Sequence, residues 1–268
     1  MHEAERHRVI LAAVETAPVA TVAELVEITG TSEATIRRDI AALDSAGRLR
    51  RVWGGAESLT PKFAGALAGR PFRFNQTVNV EAKRAIARAA VDLCDDGEPI
   101  IINGGTTTFQ MVHGLVKRRM QVFTNSFPVA ETLLHHSENT VLVPGGSIYR
   151  EQNIILSPFE NDTTANFSAT KMFMSCKGVS AHGILEGDPM LIQAELKLIR
   201  QARELIILAD SSKFTEISSL ILCGLDQVSV LITDNGIRDE DLDMLAIAGV
   251  KTIVAEPSSG LERKSGAA

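Results

Sequence analysis

Five arginines crowd a short stretch near the start of the chain. Arg37, Arg38, Arg48, Arg50 and Arg51 lie between Thr35 and Gly55, opposed there only by Asp39 and Asp44. The local balance, 5 − 2 = +3, stands against a net charge of −6 for all 268 residues. Phosphates respond to a local basic patch rather than to the total, so an acidic chain does not exclude nucleic acid. Arginine also carries two parallel N–H groups that match O6 and N7 of guanine, a pairing worth roughly 1–3 kcal/mol of discrimination.

A second set of residues suits a small anion. Asn103-Gly104-Gly105-Thr106-Thr107-Thr108, Asn125-Ser126, Pro144-Gly145-Gly146 with Arg150, Ser175-Cys176-Lys177-Gly178 and Asp210-Ser211-Ser212-Lys213 each follow a short apolar run. Glycines let backbone N–H groups approach a phosphate, hydroxyls add donors, and a helix start favours negative charge. Taken singly, each is also an ordinary strand-to-helix connection. Their force lies in convergence, which requires the preceding runs to be parallel strands with their carboxyl ends on one rim.

The elements that must position the arginines are three helices and a ribbon. Val9, Ile10, Ala13 and Val14 share a face of a helix over about 4–16, which stops before Pro18. Thr21-Val22-Ala23-Glu24 has the form of a capping box that opens a second helix, and Gly30 supplies a tight break. The third helix begins near Ser32 and runs to about Ala46, with Ile36, Ile40 and Leu43 as its buried stripe and Gly47 just past its end. Arg48 to Gly55 reads as a short basic strand and glycine turn, completing a winged helix-turn-helix over residues 1–57. Docked in the usual way, Ser32, Glu33, Thr35, Arg37 and Arg38 face the major groove, while Arg50 and Arg51 neutralise phosphates. Packing against a protein partner would suit the same three helices; the basic ribbon favours DNA.

From 58 to 79 no period is sustained, and Pro61, Gly65, Gly69 and Pro71 punctuate a linker whose Phe63, Phe72 and Phe74 are expected to dock on a neighbouring surface. Residues 80–256 alternate helix and strand. Pro99–Ile102, Gln121–Thr124, Thr140–Val143, Lys171–Met174, Leu205–Leu208, Val228–Ile232 and Val250–Val254 are the apolar runs, and a helix is expected around Phe109–Lys117. Continuous apolar strands separated by helices imply an α/β domain with a doubly covered, largely parallel sheet. Residues 257–268 read as a disordered tail.

Other chemistry finds little support. Cys94, Cys176 and Cys223 form no metal or disulfide pattern, and neighbours such as His135 and His136 on a helix point about 100° apart. No metal or cofactor is called for. No apolar run reaches the roughly 20 residues of a membrane span, and the charged start, Met1 to Arg6, does not resemble a secretory signal. A cytoplasmic location is expected.

The run Ser32-Glu33-Ala34-Thr35-Ile36-Arg37-Arg38-Asp39-Ile40, followed by Leu43, Gly47, Leu49, Arg51, Val52 and Gly54-Gly55-Ala56, resembles the DNA-binding signature of the DeoR family of bacterial repressors. Gly105-Thr106-Thr107-Thr108, Thr124-Asn125-Ser126, Pro144-Gly145-Gly146, Gly178-Val179-Ser180 and Leu208 to Lys213 resemble that family's sensor domain. The resemblance implies a sensor fold similar to sugar-phosphate isomerases, a phosphorylated sugar or polyol as effector, and a homo-oligomer on double-stranded DNA operator half-sites. Where the family commonly has Asp-Ser-Gly and Ala-Asp-Gly, this chain has Asn103-Gly104-Gly105 and Cys176-Lys177-Gly178. Both departures remove a carboxylate and one adds a cation, which suits a second anionic group or an acidic sugar. Leu156-Ser157-Pro158 with Lys177-Gly178 is closer to the ascorbate-utilisation branch.

The competing function is a sugar-phosphate isomerase tethered to DNA. Aldose–ketose isomerisation needs a positioned base, usually a carboxylate. Neither Asn103 nor Lys177 ordinarily serves at neutral pH, which leaves Glu195 and Asp210 as the possible bases.

Overall fold

The structure is a computed structural model that describes residues 2–16, 19–59, 72–159 and 162–256. It divides into two compact units, Met1–Val78 and Asn79–Ala268.

The first unit contains α1 (Glu3–Thr16), β1 (Ala20–Thr21), α2 (Val22–Thr29), α3 (Glu33–Ser45), β2 (Arg50–Val52), β3 (Gly55–Glu57) and α4 (Phe72–Asn75). Local chemistry sets each boundary. Thr21 and Glu24 form both halves of the capping box, at 3.2 and 3.0 Å. Gly30 ends α2 in the left-handed region, φ +66°, where its N–H reaches the Val26 carbonyl. The Ser32 hydroxyl caps α3. At the other end of α3 Gly47 has φ +64°, with Arg48 N–H donating to Leu43 O and Gly47 N–H to Asp44 O, a Schellman motif. Ile10, Leu25, Ile36, Ile40, Leu43 and Leu49 fill the core, each worth roughly 1.5–3 kcal/mol of burial. β1 pairs with β3 and completes an antiparallel sheet ordered β1-β3-β2. Gly55 permits that approach, because a Cβ there would lie 2.2 Å from the Ala20 carbonyl oxygen.

The stretch without period contains α4, on which Phe72 is buried. Phe63, and the tail beyond Glu256, lie outside the described residues, as does the side chain of Phe74.

The second unit runs α5 (Val80–Asp92), β4 (Pro99–Ile102), α6 (Thr106–Phe109), α7 (Val112–Leu115), β5 (Gln121–Thr124), α8 (Phe127–His136), β6 (Thr140–Leu142), β7 (Ser147–Tyr149), β8 (Ile154–Leu156), β9 (Ala169–Met174), β10 (Gly178–Ser180), β11 (Gly183–Glu186), α9 (Pro189–Ile199), β12 (Ala202–Leu208), β13 (Leu220–Cys223), β14 (Val230–Asp234), α10 (Asp239–Ile247) and β15 (Lys251–Ala255). Seven strands, ordered β15-β14-β12-β9-β4-β5-β6, form one sheet in which every pair is parallel. Alternate residues fill two cores. Ile100, Ile102, Val122, Phe173 and Ile206 pack with α5, α7 and α8, whereas Ile101, Phe123, Met172, Ile207 and Leu231 pack with Leu198 of α9 and Leu245 of α10. Chain order reverses between β4 and β9, so the switch-point crevice opens at their carboxyl ends.

Some expectations need correction. The helix expected around Phe109–Lys117 is instead two short pieces, α6 and α7. At their junction Gln110 and Met111 donate to carbonyls three residues back, a tighter winding than an α-helix. Two further sheets, β7-β8 and β10-β11-β13, add to the expected one; the second depends on β11 meeting the distant β13, which no local pattern announces. The three cysteines are buried free thiols, and His135 and His136 lie exposed at the end of α8.

Candidate nucleic-acid interface and ligand site

On the first turns of α3, Ser32, Glu33, Arg37 and Arg38 are exposed and Thr35 is half-buried. The Ser32 hydroxyl lies 3.0 Å from that of Thr35, so both are partly committed to capping. Arg37 meets Glu33 one turn back at 3.3 Å, an exposed pair worth only about 0.3–0.5 kcal/mol and easily exchanged for a stronger partner. Among the described residues no carboxylate holds Arg38. On the wing Arg50 pairs across the strands with Glu57 at 3.0 Å, while Arg51 is exposed and its backbone N–H donates to Asp44. Trp53 stands 71 % exposed at the wing tip.

Asp39 departs from the simple charge count. It is buried, faces away from Arg37 and Arg38, and is gripped by the Arg6 guanidinium (Nη2 to Oδ1, 3.0 Å) with His7 Nε2 at 3.2 Å. The Arg6 hydrogen bonds hold its carboxyl below the usual range. The exposed face of α3 is therefore more positive than its sequence suggests.

At the switch point Asn103 is fully buried and fully engaged. Its Oδ1 accepts from Ser175 N–H (2.9 Å), and its Nδ2 donates to Ser175 O (3.0 Å) and Glu195 Oε1 (2.7 Å). The side chain thus clamps the loops after β4 and β9. Gly104 and Gly105 allow close packing: a Cβ would come within 2.3 Å of Ile154 and 1.6 Å of the Ser175 hydroxyl, respectively. Thr106 is half-buried, and Thr107 and Thr108 are buried, with Thr108 Oγ1 bonded to Asn103 O and Gly105 O. Asn125 accepts from Gly104 N–H (2.8 Å) through Oδ1, which orients the amide and leaves Nδ2 buried with no partner among the described residues. Ser126 caps α8. Gly145, Gly146 and Arg150 are exposed around the β7–β8 hairpin, apart from this hydrogen-bonded network.

A charged group forms at the ends of β9 and β12. Around the buried Cys176 thiol lie Lys213, Glu186, Glu195 and Asp210, close enough to act on its ionisation. Lys177 is half-buried and 3.8 Å from Glu216, and Gly178 opens β10. Asp210 accepts from Ser212 N–H (3.2 Å) and from Asn79 Nδ2 (2.9 Å), and Lys213 closes that turn with its N–H on Asp210 O.

Lys83 of α5, which sequence reasoning missed, belongs to this group. It is 4 % exposed, burial lowers its ammonium from 10.5 to about 8, and Asp210 and Lys213 both act on it. Its signal was its phase, three residues before Ile86 in the apolar stripe of α5. Glu186 was also missed; it is buried and its carboxyl is pushed upward by desolvation.

A DeoR-like helix-turn-helix domain model matches residues 6–62 and the DeoR C terminal sensor domain model matches 78–235. The chain is 34% identical over 256 residues to the HTH-type transcriptional regulator UlaR of Shigella dysenteriae serotype 1, covering 94% of this chain and 99% of the relative. The same figures hold for UlaR of Escherichia coli strain K12. Among solved structures, ribose 5-phosphate isomerase A from Methanocaldococcus jannaschii aligns with a TM-score of 0.38 and 17% identity over 51% of this chain and 55% of that one. eIF2B beta from Chaetomium thermophilum aligns at 0.41 and 17% over 57% and 48%. With both of its domains matched and close to its full length shared with UlaR, the chain belongs to the DeoR family of transcriptional regulators.

Proposed function

We propose that this protein represses a carbohydrate or polyol catabolic operon in the cytoplasm and is released from its operator by a phosphorylated sugar. Residues 1–57 bind DNA, 58–79 connect, and 80–256 sense the effector. The observation that carries the proposal is the exposed Arg37–Arg38 face of α3, from which Asp39 is withdrawn by Arg6. Arg37 and Arg38 read bases, and Arg50 and Arg51 hold phosphates. A homo-oligomer sets two such helices on repeated half-sites.

The effector occupies the crevice beyond β4 and β9. Backbone N–H groups of Gly105 and Thr106 with Lys177, Lys213 and Lys83 suit its phosphate, and the unpartnered Asn125 Nδ2 suits a sugar oxygen. Lys177, a cation where the family commonly keeps a carboxylate, favours an acidic sugar, with phosphorylated ascorbate as the first candidate. Recognition rather than turnover is favoured because Asp210 is occupied by Asn79 and Ser212.

A thermal-shift screen of the full-length protein with sugar phosphates tests this. A ligand at 100 times its Kd stabilises the native state by about 2.7 kcal/mol. No shift with phosphorylated ascorbate, pentose phosphates, hexose phosphates or glycerol phosphate would contradict the sensor assignment.

A further inference from the structure

Glu195 sits in the buried stripe of α9, between Leu191 one turn before it and Leu198 one turn after. It is 2 % exposed. One oxygen, Oε1, accepts the Asn103 amide at 2.7 Å; the other, Oε2, has no partner among the described residues. Because Asn103 is locked to Ser175 in both directions, this carboxyl lies directly beneath the ends of β4 and β9. Among the described residues no cation pairs with it. Its charged neighbour is Glu186, also buried, beyond which come Asp188, Lys177 and Lys213.

An ionised carboxylate here would have one amide N–H for two oxygens, no counter-ion and a second carboxyl nearby. Buried charge without compensation is strongly disfavoured, so the group keeps its proton. Desolvation raises its affinity for that proton well above the ordinary range, and Glu186 adds to the effect. A protonated acid carries an O–H donor, and Oε2 has no hydrogen-bond partner among the described residues. A buried unsatisfied donor at a switch-point crevice calls for an acceptor from outside the chain.

We propose that Glu195 is a specificity-determining residue that acts as a neutral carboxylic acid, its Oε2–H donating to a hydroxyl or carbonyl oxygen of the bound effector. This rests on the sensor function proposed above. It assigns Glu195 the opposite role from a catalytic base, which must be ionised to accept a proton. Glutamine separates the two roles, since its Oε1 keeps the Asn103 bond and its N–H replaces the acid O–H.

The test uses the full-length protein in two arms. Infrared difference spectra of wild type against Glu195→Gln at neutral pH report whether Glu195 contributes a protonated-carboxyl C=O band. Calorimetric titration with phosphorylated ascorbate and with ribose 5-phosphate then compares wild type, Glu195→Gln and the volume-matched Glu195→Met, each checked for a cooperative melt. The band is expected in wild type, with Gln binding within about threefold of wild type and Met weaker by about tenfold or more. Carboxylate bands at Glu195, or Gln binding as poorly as Met, would overturn the assignment. If Met does not fold, the band together with Gln binding decides. A protonated band in a wild type that binds neither probe would instead sink the sensor proposal and, with it, the ligand role of Glu195.

Discussion

Lys83→Met replaces a buried ammonium by an apolar side chain of similar length. Lys83 has its ammonium lowered from 10.5 to about 8, and at 1.36 kcal/mol per pKa unit the charged form costs the native sensor unit about 3 kcal/mol at pH 7. Between about pH 8 and 10.5 the unfolded chain still binds the proton while the native state has released it. Native stability attributable to this group therefore rises with pH in that window. From pH 7 to pH 10 the gain is roughly 2–3 kcal/mol for wild type and absent for the variant. The three cysteines, all buried in the second unit, provide the assay. Their protection from thiol reagents, relative to urea-unfolded protein at the same pH, reports opening of that unit. The expected result is a wild-type-minus-variant difference that shifts by that amount across the range. Parallel pH profiles would refute the idea that Lys83 is held against its own desolvation.

Further outcomes follow from other contacts. Arg38→Ala should weaken binding to the native operator by roughly 1–3 kcal/mol and relax preference at one base pair, while equal affinity would remove Arg38 from the groove. Arg51→Ala should lower the slope of log affinity against log salt by about one, and an unchanged slope would exclude a phosphate contact. Lys213→Ala should blunt effector-driven release, with operator affinity as the folding control; an undiminished response would place Lys213 outside the pocket. Asp39→Asn should destabilise the first unit by roughly 1.5–3 kcal/mol, read by far-UV circular dichroism with Trp53 emission. Because Arg6 holds the Asp39 carboxyl low, its contribution is full above the ordinary carboxyl range and fades as pH falls through its native value. Acid sensitivity that persists unchanged in Asp39→Asn would contradict that pairing.

The α/β alternation was legible because buried parallel strands such as Ile100–Ile102 read as unbroken apolar runs, and the capping box and Gly47 marked helix ends without reference to the rest of the fold. β1, β10, β11 and β13 were not legible, since their pairing depends on where distant segments arrive. Three charged residues share one signature that could have been read. Asp39 lies between Ile36 and Leu43, Lys83 precedes Ile86 and Ala90, and Glu195 lies between Leu191 and Leu198, each in phase with a buried stripe. A charge at such a position must find a partner or lose its charge. Arg6 supplies the first case from another helix, which no local pattern announces. Asn103 illustrates the converse: its loop position suggested ligand contact, yet its side chain is spent on Ser175 and Glu195.

The most direct measurement is binding of the full-length protein to its own promoter fragment at low ionic strength, followed by Trp53 fluorescence and fluorescence anisotropy of the labelled DNA. Specific binding that Arg38→Ala weakens, and that phosphorylated ascorbate or another sugar phosphate reverses, is the predicted result. Binding that is absent, or that no phosphorylated sugar alters, would contradict it.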